Sequence, residues 1–383
     1  MNNKVAVIKC GVYDDEKVYL AVKAGTGLLG GLELFVRPGM KVLVKPNLLS
    51  AVAPERAVTT HPSVVKAVIR LVKEAKGIPF LGDCHGGVLT GTKVLLTETG
   101  MLEAAFAAGA EIVNLEKLGS ELHGGIAISK GIKEFDLIIN VCKFKTHGLT
   151  ILTGAVKNSF GLIPGLHKAS MHRLYPGLKD FCEMLLKVSD IVKPGLSIMD
   201  GIVGMEGDGP IGGEPRNIGL ILAAEVPLSL DFVMAKIAGF EPLALPVLAE
   251  AIKKNFEPDE IEVVGEPLEK VILKDFKPPY TFLAAGTLKK PGLLGKIKTV
   301  LQPYFWKFAT IKPVIDNLKC HKCNECVKAC PVKAINYRKG FPEVNEKICI
   351  ECYCCHELCR YRAIDFKKNL LARIWLKRQS PKK

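Results

Sequence analysis

Nine of the chain's thirteen cysteines fall between positions 320 and 359, and eight of them form two copies of one spacing, C-x2-C-x2-C-x3-C. The first copy is Cys320, Cys323, Cys326 and Cys330, followed by Pro331; the second is Cys349, Cys352, Cys355 and Cys359. Thiolates are soft ligands, and so close a spacing lets one turn of backbone wrap three corners of an iron–sulfur cube with its amides facing the sulfurs. Zinc would favour two C-x-x-C pairs, and a disulfide framework would belong to a secreted chain with a signal peptide. The opening MNNKVAVIKCGVYDDEK has too short an apolar segment and no small-residue cleavage site for such a peptide. The spacing therefore predicts [4Fe-4S] chemistry.

The run resembles that of bacterial two-cluster ferredoxins, in which three thiolates of each copy bind one cube and the fourth crosses to the other. The resemblance implies two clusters, one held by Cys320, Cys323, Cys326 and Cys359, the other by Cys349, Cys352, Cys355 and Cys330. Arg360 departs from the pattern where proline often follows. Cys354, a ninth cysteine beside Cys355, reads as a buried bystander thiol in preference to an alternative ligand. Oxygen-labile clusters and the missing signal peptide suggest the cytoplasm of an anaerobic cell.

These ligands need a scaffold, and 383 residues with 48% apolar content provide two domains and a substantial core. No uncharged apolar run reaches the roughly 18 residues of a membrane span. The net charge of +14 is unevenly placed: residues 1–286 carry 31 Lys+Arg against 32 Asp+Glu, whereas 287–319 carry seven against one and 360–383 nine against one. The large domain thus offers no basic footprint for nucleic acid, and no recognition motif accompanies the basic tail.

Before residue 286, strands alternate with helices. KVAVIKC (4–10), KVLVKPN (41–47), PFLGDC (79–84), EIVNLE, DLIINVCKFK, LSIMD, IGLILAAEV and IEVVGE read as strands. Helices are expected over 14–29 (broken by its glycines), 61–77, 92–108, 230–238 and 244–255, and the glycine-rich 201–217 as an irregular loop. The fold class is α/β, a layered sheet-and-helix N-terminal domain followed by a small α+β ferredoxin domain. The expected bounds are 1–286 for the α/β domain, 287–319 for a basic apolar linker, 320–366 for the two-cluster domain and 367–383 for a basic tail. The linker, with Tyr304, Phe305, Trp306 and Phe308 among its lysines, is expected to pack on the large domain in preference to a peripheral membrane contact.

Open α/β sheets bind ligands beyond the carboxyl ends of their strands. That rule collects Lys45 and Asn47, Asp83 and His85, Lys143, Lys145 and His147, and Asp200. Just downstream, His147, Lys157, His167, Lys168, His172 and Arg173 form a set without carboxylates, suited to an anion better than to a hard metal.

KVLVKPN with TTHP, KFKTH, TGAVKNSFGLIPG with lysine and histidine downstream, and MDGIVGMEGDGPIGG together resemble the domain of unknown function 362 family over roughly residues 40–240. The resemblance implies an α/β domain that often carries a C-terminal two-cluster ferredoxin module. Its recurrent polar positions fall here on Lys45, Asn47, His61, Lys145, His147, Lys157, Asn158, Lys168, His172 and Asp200; Cys142 stands where proline is frequent.

The residues then fit a ferredoxin-type oxidoreductase passing single electrons to an anionic substrate or cofactor. Lys45, Asn47, Lys145, Asn158, Lys168 and Asp200 would bind it, and His147, Lys157 and His172 would serve the chemistry. The competing reading is a non-catalytic electron carrier or maturation factor that docks a redox partner protein. An internal acceptor requires the cluster module to dock with one cluster facing the cleft. Iron analysis of anaerobically purified protein tests the ligand set: about eight irons per chain are expected, and fewer in Cys359→Ser. A yield near four with Cys359→Ser unchanged would contradict the crossed assignment.

Overall fold

Alternating β-branched runs and amphipathic helices build a layered α/β domain, described in the computed structural model over residues 3–84, 91–165 and 167–280, with residues 311–368 forming the cluster module. Along the domain run strands β1 (Lys4–Lys9), β2 (Lys41–Pro46), β3 (Ile78–Leu81), β4 (Glu111–Ile112), a separate hairpin β5 (Ser120–His123) and β6 (Ile126–Ser129), then β7 (Leu137–His147), β8 (Ile151–Leu152), β9 (Leu196–Glu206), β10 (Glu214–Ala224) and β11 (Glu262–Gly265). Among the described residues the main sheet runs β11-β1-β10-β9-β7-β2-β3-β4, with β8 folded onto the end of β7. From β9 to β4 every pairing is parallel, so the carboxyl ends of β2, β3 and β7 open on one side.

Both faces of this sheet are covered, which is why its central strands read as nearly continuous apolar runs. Val42 and Val44 face the layer of α1 (Asp15–Leu28), α2 (Pro62–Glu74), α3 (Gly91–Glu98) and α4 (Met101–Ala108). Leu43 faces the opposite core. That second layer is built by α5 (Gly154–Ser159), α6 (His167–Leu174), α7 (Leu178–Val192), α8 (Pro227–Ile237), α9 (Pro246–Lys253) and α10 (Leu268–Val271).

Several local expectations are corrected. The first helix is unbroken at its glycines: Asp14 caps α1 through Lys17 N (3.0 Å), and Gly25 lies against Ile8 and Ala223 of the sheet. The helix over 92–108 is two helices parted at Gly100, where φ is +70°. EIVNLE contributes only two residues of strand. The glycine-rich 201–217 is mostly sheet, turning only over 207–213. Gly201 and Gly204 are needed for close strand packing, since a Cβ would lie 2.9 Å from the Leu220 carbonyl oxygen and 2.7 Å from that of Phe144.

In the cluster module β12 (Ile311–Ile315) pairs with β15 (Ile364–Lys368), β13 (Ile335–Arg338) pairs with β14 (Phe341–Val344), and the two ligand runs carry α11 (Glu325–Ala329) and α12 (Cys354–Leu358). The segment read as a linker therefore ends in a strand of the module. Its residues 287–310, the tail beyond Lys368 and His85 lie outside the described residues. The two runs are structural repeats 29 positions apart (320 to 349). Left-handed residues recur in register, at Lys322, Asn324 and Lys333 and again at Glu351, Tyr353 and Arg362. Six non-glycine residues in a region that disfavours side chains are tolerated where the backbone must curl around its cysteines.

α5, which carries Lys157 and Asn158, is too short to stand alone. Asp231 of α8 accepts from the amides of Ala155 and Val156 (3.0 Å for the latter), capping α5 across the core. Gly154 (φ +60°) is required beneath it, since a Cβ would stand 2.2 Å from the Asp231 carboxylate. Burial pushes the Asp231 carboxyl up to about 7, against the pull of the two amides. The folded chain then keeps a proton that the unfolded chain loses near pH 4, so this contribution is fullest below that value and is lost as pH rises through 7. Calorimetry from about pH 5 to pH 8 should show a steeper fall in melting temperature for wild type than for Asp231→Asn; parallel curves would remove Asp231 from the response.

Candidate functional site

At the carboxyl ends of β2, β3 and β7 lies a cleft of about 850 Å³, walled on one side by the α/β domain and on the other by the cluster module. Asn47, Asp83, Lys145, His147, Lys157, Asn158, Lys168 and His172 line it from the domain. Ala329, Cys354, Glu357 and Leu358 line it from the module.

A chain of buried hydrogen bonds fixes the floor. The Lys145 ammonium donates to Asn47 Oδ1 (2.7 Å) and to the Val58 carbonyl (2.6 Å). Asn47 Nδ2 donates to Asn158 (2.8 Å), Asn158 to Asn140 (2.7 Å), and Asn140 to the Ala155 carbonyl (2.9 Å). Each amide is oriented by its neighbour, so donor and acceptor alternate in one direction. TTHP locks KVLVKPN in place: Asn47 N donates to Thr60 Oγ1 (2.9 Å), and Thr60 Oγ1 donates to the Val141 carbonyl (2.8 Å). Burial drives the Lys145 ammonium well below its ordinary range, with Lys157 adding to the effect.

Lys45 lies beneath the cleft rather than in it. It pairs with Asp83 at 3.0 Å, both side chains buried, and Gly161 leaves room for the pair, since a Cβ there would lie 2.6 Å from Lys45 Nζ. Asp83 also accepts from the amides of Leu48 and Cys84.

Asp200 and His61 are not in the cleft. Asp200 pairs with the buried Lys143 (2.7 Å) and accepts from Tyr13 Oη (2.9 Å) and the His61 amide (2.8 Å), while the Tyr13 and His61 rings stack at 3.5 Å. β7 shifts register against β9 between Lys143 and Lys145, so residues two apart on one strand serve different sites. The expected role of Asp200 in binding gives way to a structural one under α2. His167 and Arg173 are exposed, outside the cleft lining.

The chemistry-bearing groups meet at the module. His147 Nδ1 accepts from the amides of Leu149 (3.0 Å) and Thr150 (3.2 Å), so the neutral ring carries its proton on Nε2. Burial, reinforced by Lys157, brings His147 down to about 4 and keeps it neutral near pH 7. His147 Nε2 stands 2.9 Å from Glu357 Oε1 but out of line, leaving both atoms and Thr153 Oγ1 without a hydrogen-bond partner among the described residues. His172 stacks on Phe181 at 4.3 Å and is brought to about 4 by burial. Burial opposes ionisation of Glu357, yet His147, Lys157 and His172 outweigh it and hold the carboxyl well below its usual range. The half-buried Lys157 ammonium lies over the Phe160 ring (5.7 Å) and has no hydrogen-bonded acceptor among the described residues. Lys168 is tied to the Cys84 carbonyl.

The ligand cysteines surround two hollows in the crossed sets. Cys320, Cys323, Cys326 and Cys359 line one of about 350 Å³. Cys330, Cys349, Cys352 and Cys355 line another of about 320 Å³, which Cys354 also borders. Equivalent amides donate to the crossing sulfurs, Ala334 to Cys330 (3.1 Å) and Ala363 to Cys359 (3.2 Å), as a thiolate–cluster ligand needs. Among the described residues no three His, Cys, Asp or Glu side chains close on a single metal ion. The residues fit a cube in each hollow.

Docking uses the turn 207–213. Arg362 donates to Glu214 (3.1 Å) and to the carbonyls of Gly213 (2.7 Å) and Ile211 (3.2 Å), and Arg56 donates to the Arg360 carbonyl (3.0 Å). Gly212 makes room for His356, whose Nε2 would lie 2.7 Å from a Cβ. Sequence reasoning missed Glu357, Asp231 and Asn140. Asp231 left a local trace, a single carboxylate inside the apolar run LSLDFVMA.

Comparison with known proteins agrees with this division. A family model described as Domain of unknown function (DUF362) matches residues 42–236, and one for a 4Fe-4S binding domain matches 313–336. The thylakoid-associated protein sll1697 of Synechocystis sp. is 33% identical over 280 residues, covering 71% of this chain and 87% of the relative. No helix among the described residues is long and apolar enough to cross a membrane.

Removing one member of a buried charge pair leaves the other uncompensated. Glu357→Ala should therefore loosen the docked module, seen as a larger radius of gyration in anaerobic solution scattering and a melting temperature lower by several degrees. Adding Lys157→Met should restore part of the loss. An unchanged scattering profile would assign docking to the arginine contacts alone.

Proposed function

This chain belongs to the family described as Domain of unknown function (DUF362) and carries a 4Fe-4S binding domain behind it, and from that footing we propose an iron–sulfur oxidoreductase with two [4Fe-4S] clusters that passes single electrons to a small anionic substrate or cofactor in the His/Lys cleft. The observation that carries this reading is the double role of one short segment. Cys354 borders the second cysteine hollow and also lines the cleft, with Glu357 and Leu358 of the same helix beside it. A cluster held by Cys330, Cys349, Cys352 and Cys355 would supply single electrons at that wall.

The chain's own residues do the rest. Lys157 takes the anionic group, being the cleft cation whose ammonium has no hydrogen-bonded acceptor among the described residues. Lys168, Asn47 and Asn158 border the same space and orient the bound molecule. His147 presents its Nε2 proton to charge developing on the acceptor, as a neutral donor held in one tautomer by two backbone amides. His172 closes the cleft as an uncharged wall. Lys45 and Lys145 act through the Asp83 pair and the asparagine chain. The cytoplasm, where thiols stay reduced, suits the cysteines.

Protein reduced anaerobically with dithionite and then mixed with small carboxylates or phosphate esters tests the proposal. At least one should speed reoxidation of the cluster chromophore. Lys157→Ala should lower that acceleration about 10- to 100-fold, the scale of one charge-assisted contact, with iron content unchanged. Should no small anion act while an added redox protein is readily reduced, the external carrier is the better reading.

A further inference from the structure

Because the two ligand runs are repeats, the module supplies its own control. In the first copy His321, Lys322, Asn324 and Lys328 are exposed, whereas their counterparts Ile350, Glu351, Tyr353 and Glu357 are half-buried or buried. Charge reverses along with burial: Lys322 is replaced by Glu351 and Lys328 by Glu357. The inner copy is acidic where it meets a cationic cleft, and the outer copy is basic where it meets solvent.

The hairpin tip extends that basic face. Lys322 lies over the Phe341 ring (4.0 Å) and Tyr337 Oη donates to the Lys322 carbonyl (3.3 Å), which ties the hairpin whose turn carries Arg338 and Lys339 to the first ligand loop. Glu343 stands 3.8 Å from Arg338, and Asp316 pairs with Lys319 (3.3 Å). Lys322 and Lys339 have no carboxylate partner among the described residues, so the surplus is positive. Leu318, 99% exposed, and Tyr337, 44% exposed, add apolar surface of the kind a partner would cover.

We propose that this face is the entry port for an acidic one-electron carrier protein whose redox centre is ringed by Asp and Glu. The port rests on the reading that electrons leave the module at the cleft. The carrier would be oxidised by one electron and the cluster that Cys320, Cys323, Cys326 and Cys359 would hold would be reduced by it, with no bond or proton changing hands. Complementary charge steers such encounters and governs their rate more than their final affinity.

The probe is reduced plant-type [2Fe-2S] ferredoxin, an acidic carrier, with full-length protein under anaerobic conditions. Stopped-flow absorbance follows electron entry and calorimetry follows binding. Entry should slow steeply with added salt. Lys322→Glu and Lys339→Glu should each slow it about three- to tenfold at low ionic strength and weaken binding, with iron content and dithionite reduction as in wild type. Lys17→Glu, on α1, should match wild type. Equal rates for wild type and both module variants overturn the port, as does an equal loss in Lys17→Glu. Reoxidation by cleft ligands, measured on the same variants, separates the two proposals. If it persists while charge reversal leaves entry untouched, the port alone fails; if it is missing in wild type while entry stays salt-dependent, the port stands without the cleft.

Discussion

A carboxylate carried by the cluster module is buried among the cationic and imidazole groups of another domain. Burial strips Glu357 of most of its hydration, and its placement against His147, the Lys157 ammonium and His172 holds the carboxyl well below its usual range. Among the described residues Glu357 is the carboxylate that acts on those three groups. This mutual need fixes the relative placement of the domains more tightly than surface ion pairs could, because exposed pairs contribute roughly 0–1 kcal/mol. The remaining architecture serves that contact: Asp231 caps the helix that holds Lys157, two amides set the His147 ring, and a glycine turn accepts His356 beside Glu357.

The domain's buried charges divide by whether they are satisfied. Lys143 with Asp200 and Lys45 with Asp83 are closed pairs, each ringed by backbone or phenol donors, and their work is support. Among the described residues His147 Nε2 and Glu357 Oε1, 2.9 Å apart but out of line, and Thr153 Oγ1 lack hydrogen-bond partners at the cleft wall. A buried polar atom left unpaired costs about 1–3 kcal/mol. The cleft, where these groups and the Lys157 ammonium border open space, differs in this from the closed pairs at Asp200 and Asp83.

The cysteine spacing and the strand-end rule made both halves of this site legible, because ligand spacing and parallel topology are local and repetitive constraints. Asn47, Lys145 and His147, which that rule collected, line one cleft with the downstream Lys157, Lys168 and His172. Lys143 and Asp200 do not, since a register shift on β7 sends neighbouring lysines to different places and nothing in alternation announces it. Glu357 was hidden for another reason: a lone acid on a short helix normally reads as a solvated charge. Only aligning the copies at their 29-residue offset exposes it, opposite Lys328. The 201–217 stretch misled through composition, its glycines serving close strand packing rather than a loop.

The repeat also limits how the two domains could have been joined. A free-standing two-cluster module would meet solvent with both copies and would have no use for Tyr353 against Gly148, His356 against Gly212, or a buried Glu357. Grafting such a module onto this domain would keep every iron ligand and lose the fit. The second copy has become part of the larger domain's surface, so substitutions in it are judged by two neighbours at once, while the first copy is free to follow whatever it meets outside. Divergence between the halves of the ligand run is thus a record of attachment, and a module bearing it is no longer interchangeable.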